Sequence, residues 1–540
     1  MANAKRLTSH SAACGKVLKG ATALADAVRL TLGPRSKSVL LGRNWGPPLV
    51  CNDGVTIAKE LVLRDAEENL GAQMLRQAAQ RTGDVVGDGT TTATLLAHAI
   101  FSEGMRSVAA GASAIDLERG VERGMRVAVE AIRGLSRPVE STPERVRIAT
   151  ISAHDDATIG ALVGEAVAKV GAEGVITVEA TAGTETAVEI VQGMQFDRGY
   201  LSPYFITDPD RVQCVLVEPL VLIHDERIAV TKDLRPLLEH VAKTGSSLLI
   251  IAEEVEGEAL ATLVVNKIRG TSACVAVRAP GLGDRRRTLL EDIAVLTGGQ
   301  VVTKKAGLRL ESVTPSVLGR ASRIVVSAED TTILGGAGDP RSIAARLDEI
   351  RRQIRDATSD YDEQRLRERL AKLAGGVAIV RVGAPSEAET KSRRKAFEDA
   401  IGATQAAVAE GIVPGAGLAL LRASTAVADE EARAQGDERS GLRILRHALE
   451  APTRQLAANS GADPDAVVEH MRASDGSMGF DAASGAYVDL VAEGIIDPTK
   501  VVRLAIEHAV SVATVLLLAE ATTTRTPEPS PQREPSTAPD

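Results

Sequence analysis

Apolar residues recur at three- and four-residue steps through the first 135 positions, the period of an amphipathic helix. The pattern predicts a helix over 12–32 stopped at Gly33-Pro34, then helices over 69–81 and 90–102. Between them, residues 50–57 read as a short extended pair turning at Asn52-Asp53-Gly54, a hairpin signal. From about residue 192 the period changes. Apolar strands over 247–252 and 273–277 alternate with helices over 256–269 and 287–296, which argues an α/β domain with a largely parallel core. Residues 340–373 give two charged helices joined at Thr358-Ser359-Asp360, an antiparallel hairpin with no evident chemistry. Ser386 and Glu389 form a capping-box pattern opening a helix to about 410, closed by Gly411. The last strong helix reads from Asp497-Pro498, an N-cap followed by proline at the first helical position, to about 521. Residues 522–540 offer almost nothing to bury and read as a disordered tail.

Composition narrows the function. A chain of 540 residues with 44% hydrophobic content fills two or three domains. Aromatic residues make up only 2%, too few for a surface of stacking rings, and the net charge of -9 is the wrong sign for binding phosphate backbones. Nucleic acid is not an expected partner. The basic groups Arg285-Arg286-Arg287 and Lys391, Arg393, Arg394 and Lys395 read as solvated helix faces. Cysteines 14, 51, 214 and 274 lack metal-ligand spacing and fit reduced thiols. With no secretory signal, and no apolar run near the ~18 residues of a membrane span, the expectation is a cytoplasmic protein without a membrane partner.

The segment Gly87-Asp88-Gly89-Thr90-Thr91-Thr92 carries the clearest chemistry. A glycine-rich entry to a helix leaves backbone N–H groups free for an anion, phosphate being the natural one, and Asp88 could ligate Mg2+. The plain alternative is a turn in which Asp88 bonds locally and the threonines cap a helix. No Walker-type loop occurs. Taken alone, Asp53 reads as a turn residue, Asp497 as an N-cap and Asp399 as a solvent-facing residue within a helix. Two apolar stripes stand out: Leu234, Leu237, Leu238, Val241 and Ala242, and a broader one of Leu260, Leu263, Val264, Val265 and Ile268. Leu263 and Ile268 are expected to pack on a sheet, and the excess width suggests an exposed groove.

Longer strings resemble the group I chaperonins of the GroEL type over about residues 4–521. They are Thr31-Leu32-Gly33-Pro34, Asp53-Gly54-Val55, residues 87–92, MQFDRGYLSPYF at 194–205, VEGEALATLVVN at 255–266, Asp284-Arg285-Arg286, KLAGG at 372–376 and residues 497–500. The resemblance implies a multidomain α and α/β fold: a mainly helical equatorial ATP-binding domain from 1–136 and 412–521, a small intermediate hinge domain from 137–191 and 375–411, and an α/β apical domain from 192–374. It further implies an ATP-hydrolysing folding chaperone using Mg2+, with K+ as a further cation. Its partners would be non-native polypeptides, a small co-chaperonin lid and copies of itself in seven-membered rings, commonly doubled to fourteen.

Carried over, Thr31, Leu32, Gly33 and Pro34 would line the nucleotide and Gly89, Thr90, Thr91 and Thr92 would hold its phosphates. Asp88 would bind Mg2+. Asp399, delivered on hinge closure, would position the attacking water with Asp53 in support, while Ala416, Asp481, Ala482, Ala483 and Asp497 surround ribose and adenine. Tyr200, Ser202, Tyr204, Phe205, Leu238, Leu260, Val264 and Val265 would form the client- and lid-binding surface. Asn52 stands where GroEL has lysine, Ala416 interrupts a glycine triplet, Arg235 replaces an apical leucine, and the tail lacks Gly-Gly-Met repeats. These departures suggest a specialised copy and keep a second reading open: a chaperonin-like binding scaffold with weak ATPase and low oligomeric order.

Overall fold

The computed structural model describes residues 5–9, 11–42, 48–153, 155–171, 174–181, 183–209, 211–357, 359–374 and 376–525. Thr358, Gly375 and the tail beyond 525, all included in the sequence expectations, lie outside these. The chain divides into two compact units, one of Met1–Gly164 with Lys395–Asp540, the other of Glu165–Arg394.

The first unit is a packed set of helices. Asp65 caps Ala66–Val86 by accepting the N–H groups of Glu67 and Glu68 at 2.9 and 3.2 Å, and Gly87, at φ 72°, ends that helix in the left-handed conformation. Helices Ser11–Val28 and Ala66–Val86 touch backbone to backbone. A Cβ on Gly20 would stand 1.7 Å from the Glu68 carbonyl oxygen, and one on Gly71 1.9 Å from that of Val17.

Three expectations are corrected here. Asn52-Asp53-Gly54 is not a hairpin turn: strand Leu49–Cys51 pairs antiparallel with Val39–Leu41, and Asp53 caps the helix Gly54–Glu60. Burial of Val55, Ile57 and Ala58 on that helix favours it over an extended pair. Asp497 is not an N-cap but sits in strand Ile496–Pro498, antiparallel to Ile412–Pro414, with Pro498 preceding the helix Thr499–Leu518. That helix is, among the described residues, the one long and apolar enough to cross a membrane, although no such run was expected. It is mostly buried and serves as a core helix. Third, Ala521–Arg525 pairs antiparallel with Lys5–Ser9, so the start of the expected tail is a strand.

The second unit centres on an eight-stranded sheet whose main path runs Ala273–Arg278, Ser247–Ala252, Leu220–His224, Gly319–Val326, Thr331–Gly336 and Gly193–Phe196. Along this path the first three strands are parallel and the others antiparallel, and off it Val301–Val302 pairs parallel with Leu220–His224 while Cys214–Val217 pairs antiparallel with Gly319–Val326, so the sheet is mixed rather than largely parallel. Strand Val377–Val382 forms a separate small sheet, parallel to Val175–Ala180 and antiparallel to Ala187–Val191. The helical hairpin appears as Pro340–Asp356 and Asp360–Ala374. Ser386 caps the helix Glu387–Glu410, and Gly411 follows it at φ 81°.

Within this unit, helix Thr231–Thr244 buries Leu234, Leu237, Leu238 and Val241 and exposes Arg235. Phe205 is fully buried. Neither Phe205 nor Leu238 presents surface, because both belong to the core around the sheet. On helix Gly257–Ile268, Leu263 is buried as expected, but Ile268 is 65% exposed. Five residues at ~100° each carry Ile268 about 140° around the helix from Leu263. Arg286 is not solvated: it donates to Glu253 at 2.8 Å and to Asp225 at 3.3 Å.

Candidate nucleotide site

The first unit contains a cavity of about 570 Å³. Its walls include every nucleotide and catalytic residue expected from the resemblance: Thr31 to Pro34, Asp53, Asp88 to Thr92, Asp399, Ala416, Asp481 to Ala483 and Asp497.

Geometry explains the glycines. Gly87 and Gly89 take φ of 72° and 76°, and between them the chain turns from helix Ala66–Val86 into helix Thr90–Ala109. A Cβ on Gly89 would meet Cγ1 of Val501 at 2.6 Å. Asp88 sits at the turn's tip, its Oδ1 accepting the Gly89 N–H at 2.6 Å and its Oδ2 the Ser152 hydroxyl at 2.6 Å. Thr31 donates to the Val28 carbonyl at 2.8 Å, which leaves its oxygen to accept from Thr91 at 3.1 Å. Asn459 donates to the carbonyls of Arg29 and Leu32 at 3.0 and 2.9 Å, fixing the turn that carries Thr31 to Pro34.

The wall is strongly acidic. Among the described residues it carries Asp53, Asp88, Asp155, Asp399, Asp481, Glu493 and Asp497 against a single basic residue, Arg147. Burial pushes the Asp399 carboxyl up to about 7; Lys395 opposes this, and the nearby charges of Asp53 and Asp88 add to it. Asp497 is likewise raised to about 7, by burial and then by Asp88. For Asp481 burial acts in the same upward direction, but the Ser484 hydroxyl at 2.5 Å and the N–H groups of Ala483 and Ser484 at 2.8 and 3.2 Å hold it below the usual range. Lys395, bonded to Asp399, stays protonated beyond the ordinary lysine range: burial works against its charge, and the carboxylates of Asp399 and Asp53 outweigh it.

Among the described residues no group of three or more metal-ligating side chains could hold an ion alone. A cavity rich in carboxylates, with a glycine turn at a helix start, therefore fits a divalent cation that completes its shell with phosphate oxygens and water. Such an arrangement suits phosphoryl transfer. Sequence reasoning does not single out Ser152 or Asn459, and Lys395, expected on a solvated helix face, is instead bonded to Asp399. Ser152 and Asn459 lie 64 and more than 400 positions from the groups they hold, and no local pattern marks them.

Comparison with known proteins shows the family. A model described as the TCP-1/cpn60 chaperonin family matches residues 24–525. The chain is similar to Chaperonin GroEL 5 of Bradyrhizobium diazoefficiens, 62% identical over 531 residues, which is 98% of each chain. With a fold of helices and α/β sheets to match, the chain belongs to the TCP-1/cpn60 chaperonins as a group I, GroEL-type member, a family of ATP-dependent, Mg2+-using chaperones.

Proposed function

We propose that this chaperonin hydrolyses ATP in the acidic cavity and uses the cycle to bind and release non-native polypeptides. The observation that carries this reading is the convergence of the Gly87–Gly89 turn, Asp88 and Asp399 on one cavity of about 570 Å³. Asp88, held by Ser152 and the Gly89 N–H, would ligate Mg2+, and Thr90, Thr91 and Thr92 would receive the phosphates with Gly89. Bound Mg2+ would neutralise phosphate charge. Asp399 orients the attacking water and accepts its proton, with Asp53 in support, while Thr31 to Pro34, Ala416, Asp481, Ala482, Ala483 and Asp497 surround the nucleoside. Catalysis of this kind is positioning and electrostatics.

Asp399→Ala tests the assignment. ATP binding should survive while turnover falls by about a hundredfold or more. Unchanged turnover would sink the role.

The three-domain partition, with 192–374 as the apical domain, belongs to the same reading. So does a client surface formed by Tyr200, Ser202, Tyr204, Leu260, Val264 and Val265 over the buried Phe205 and Leu238. Tyr204 and Val265 are 67% and 42% exposed, which supports that surface. At ~25 cal/mol per Å², a few hundred Å² of it would hold an unfolded segment by several kcal/mol. ATP would act through differential affinity for two ring states. We assign the chain to the cytoplasm, in seven-membered rings closed by a small lid. Molar mass in solution with and without Mg-ATP separates this from the scaffold reading, since that reading expects monomers or dimers that ATP does not assemble.

A further inference from the structure

Lys395 precedes Asp399 by one helical turn on helix Glu387–Glu410, and its ammonium is bonded to Asp399 Oδ1. The Asp399 side chain is 15% exposed and also faces the charges of Asp53 and Asp88. Lys395 in turn faces Asp399, Asp53 and Glu398. Arg147, the single basic residue lining the cavity among the described residues, donates to the carbonyls of Glu493 and Gly494 at 2.8 and 3.4 Å and points its charge there. A part-buried carboxylate facing two others, with no cation beside it, is driven to turn away from them or to hold a proton.

We propose that Lys395 is a positioning residue for ATP hydrolysis, fixing the orientation of the Asp399 carboxylate through Oδ1 and leaving Oδ2 to accept from the attacking water. The inference rests on the reading of Asp399 as the group that orients this water. The i,i+4 spacing makes the contact local to one helix face, so the pair travels as a unit wherever the helix carries Asp399. Ordering a lysine stem is entropically costly, and burial opposes its charge. The contact persists because the carboxylates outweigh both.

The test compares Lys395→Met, Lys395→Arg, Asp399→Asn and the double variant Lys395→Met/Asp399→Asn, each as the full-length protein at saturating Mg-ATP. Loss of one hydrogen bond to a charged group should lower kcat by about tenfold in Lys395→Met, with KM for ATP changed less than about twofold. Lys395→Arg should recover most of kcat, because a guanidinium still bonds one turn away. In the Asp399→Asn background, Lys395→Met should cost nothing further, since the two act as one. Lys395→Gln, which keeps a donor without the charge, substitutes for methionine if that variant misfolds, and should fall between. If Asp399→Asn abolishes turnover while Lys395→Met matches the parent protein, the inference fails and the role of Asp399 stands. Losses that multiply in the double variant, or a change confined to KM, also overturn it. Full turnover in Asp399→Asn would remove both.

Discussion

The hydroxyl of Ser152 donates a 2.6 Å hydrogen bond to Oδ2 of Asp88, tying the last residue of helix Thr142–Ser152 to the glycine turn before helix Thr90–Ala109. Since the Gly89 N–H holds the other oxygen, both ends of the carboxylate are fixed before any ligand arrives. Ser152→Ala frees one end. The net value of such a bond, about 1 kcal/mol, predicts that the Mg2+ concentration for half-maximal turnover rises about fivefold, with kcat at saturating Mg2+ nearly unchanged. A Mg2+ titration of ATP turnover reads this directly, and an unshifted midpoint would show that Ser152 does not preorganise the metal ligand.

Asp399 and Asp497, both raised to about 7, set two pH dependences. As a group that must be ionised to accept a proton, Asp399 makes turnover rise with pH through about 7 and level off above it. Stability runs the other way. Between an unfolded value near 3.8 and a folded value of about 7, the folded state retains protons that the unfolded state has released. The contribution of these two groups therefore falls as pH rises through that window. Asp65 and Glu144, lowered to about 2 by Lys16 and Arg137, give the opposite slope, but only below about pH 4.5. His98, lowered from 6.5 to about 4 by burial, gives an opposite slope below about pH 6.5. The contribution of Asp497 is therefore read as the difference between the parent protein and Asp497→Asn in denaturation of the nucleotide-free protein from pH 5 to 8, a difference that should shrink as pH rises through about 7.

Where chemistry is local, the sequence is a good guide. The strings Thr31–Pro34 and Gly87–Thr92 each place backbone and side chain in one short stretch, and both line the same cavity. The Ser386 cap and Gly411 stop bound their helix correctly because capping is decided within four residues. Reading fails where one tripeptide serves two geometries. Asn52-Asp53-Gly54 suits a hairpin as well as a helix start, and only the burial of Val55, Ile57 and Ala58 decides between them. It fails again where adjacent residues part company: in the turn Pro203–Phe205, Tyr204 is 67% exposed and Phe205 fully buried, a difference set by packing against the sheet. Ser152 and Asn459 were illegible because nothing near them in sequence announces their partners.

Asp292 explains how a charged hairpin with no evident chemistry stays in place. It is fully buried and accepts from Arg346 Nε at 2.8 Å and from Arg369 Nε and Nη2 at 2.7 and 3.0 Å, one arginine from each hairpin helix. Removing the shared carboxylate takes from Arg369 the bonds that hold its helix, while Arg346 keeps Glu291 and Glu349 at 3.0 and 2.9 Å. Asp292→Ala should cost about 3–5 kcal/mol, the range for breaking a buried ion pair from one side. Hydrogen exchange should show protection lost first over residues 340–374. Uniform loss across the whole second unit would mean that Asp292 supports the sheet rather than the hairpin.

Ala416 carries a strained backbone: φ is 53°, between Gly415 and a Gly417 that is itself left-handed at 75°. An L-residue with a Cβ pays roughly 1–2 kcal/mol in that region, whereas glycine avoids the clash and loses about 0.5–1 kcal/mol more chain entropy on folding. The half-buried methyl packs against the core cluster that includes Leu418, Leu421, Phe480 and Ala482, which returns part of the difference. Ala416→Gly should accordingly stabilise the first unit by no more than about 1 kcal/mol. Ala416→Val, branched at the carbon that clashes, should destabilise it by about 2 kcal/mol or more. Paired denaturation curves give both signs at once. If glycine destabilises as much as valine, packing of the methyl outweighs backbone strain, and the interrupted glycine triplet is a wall of the pocket rather than a tolerated cost.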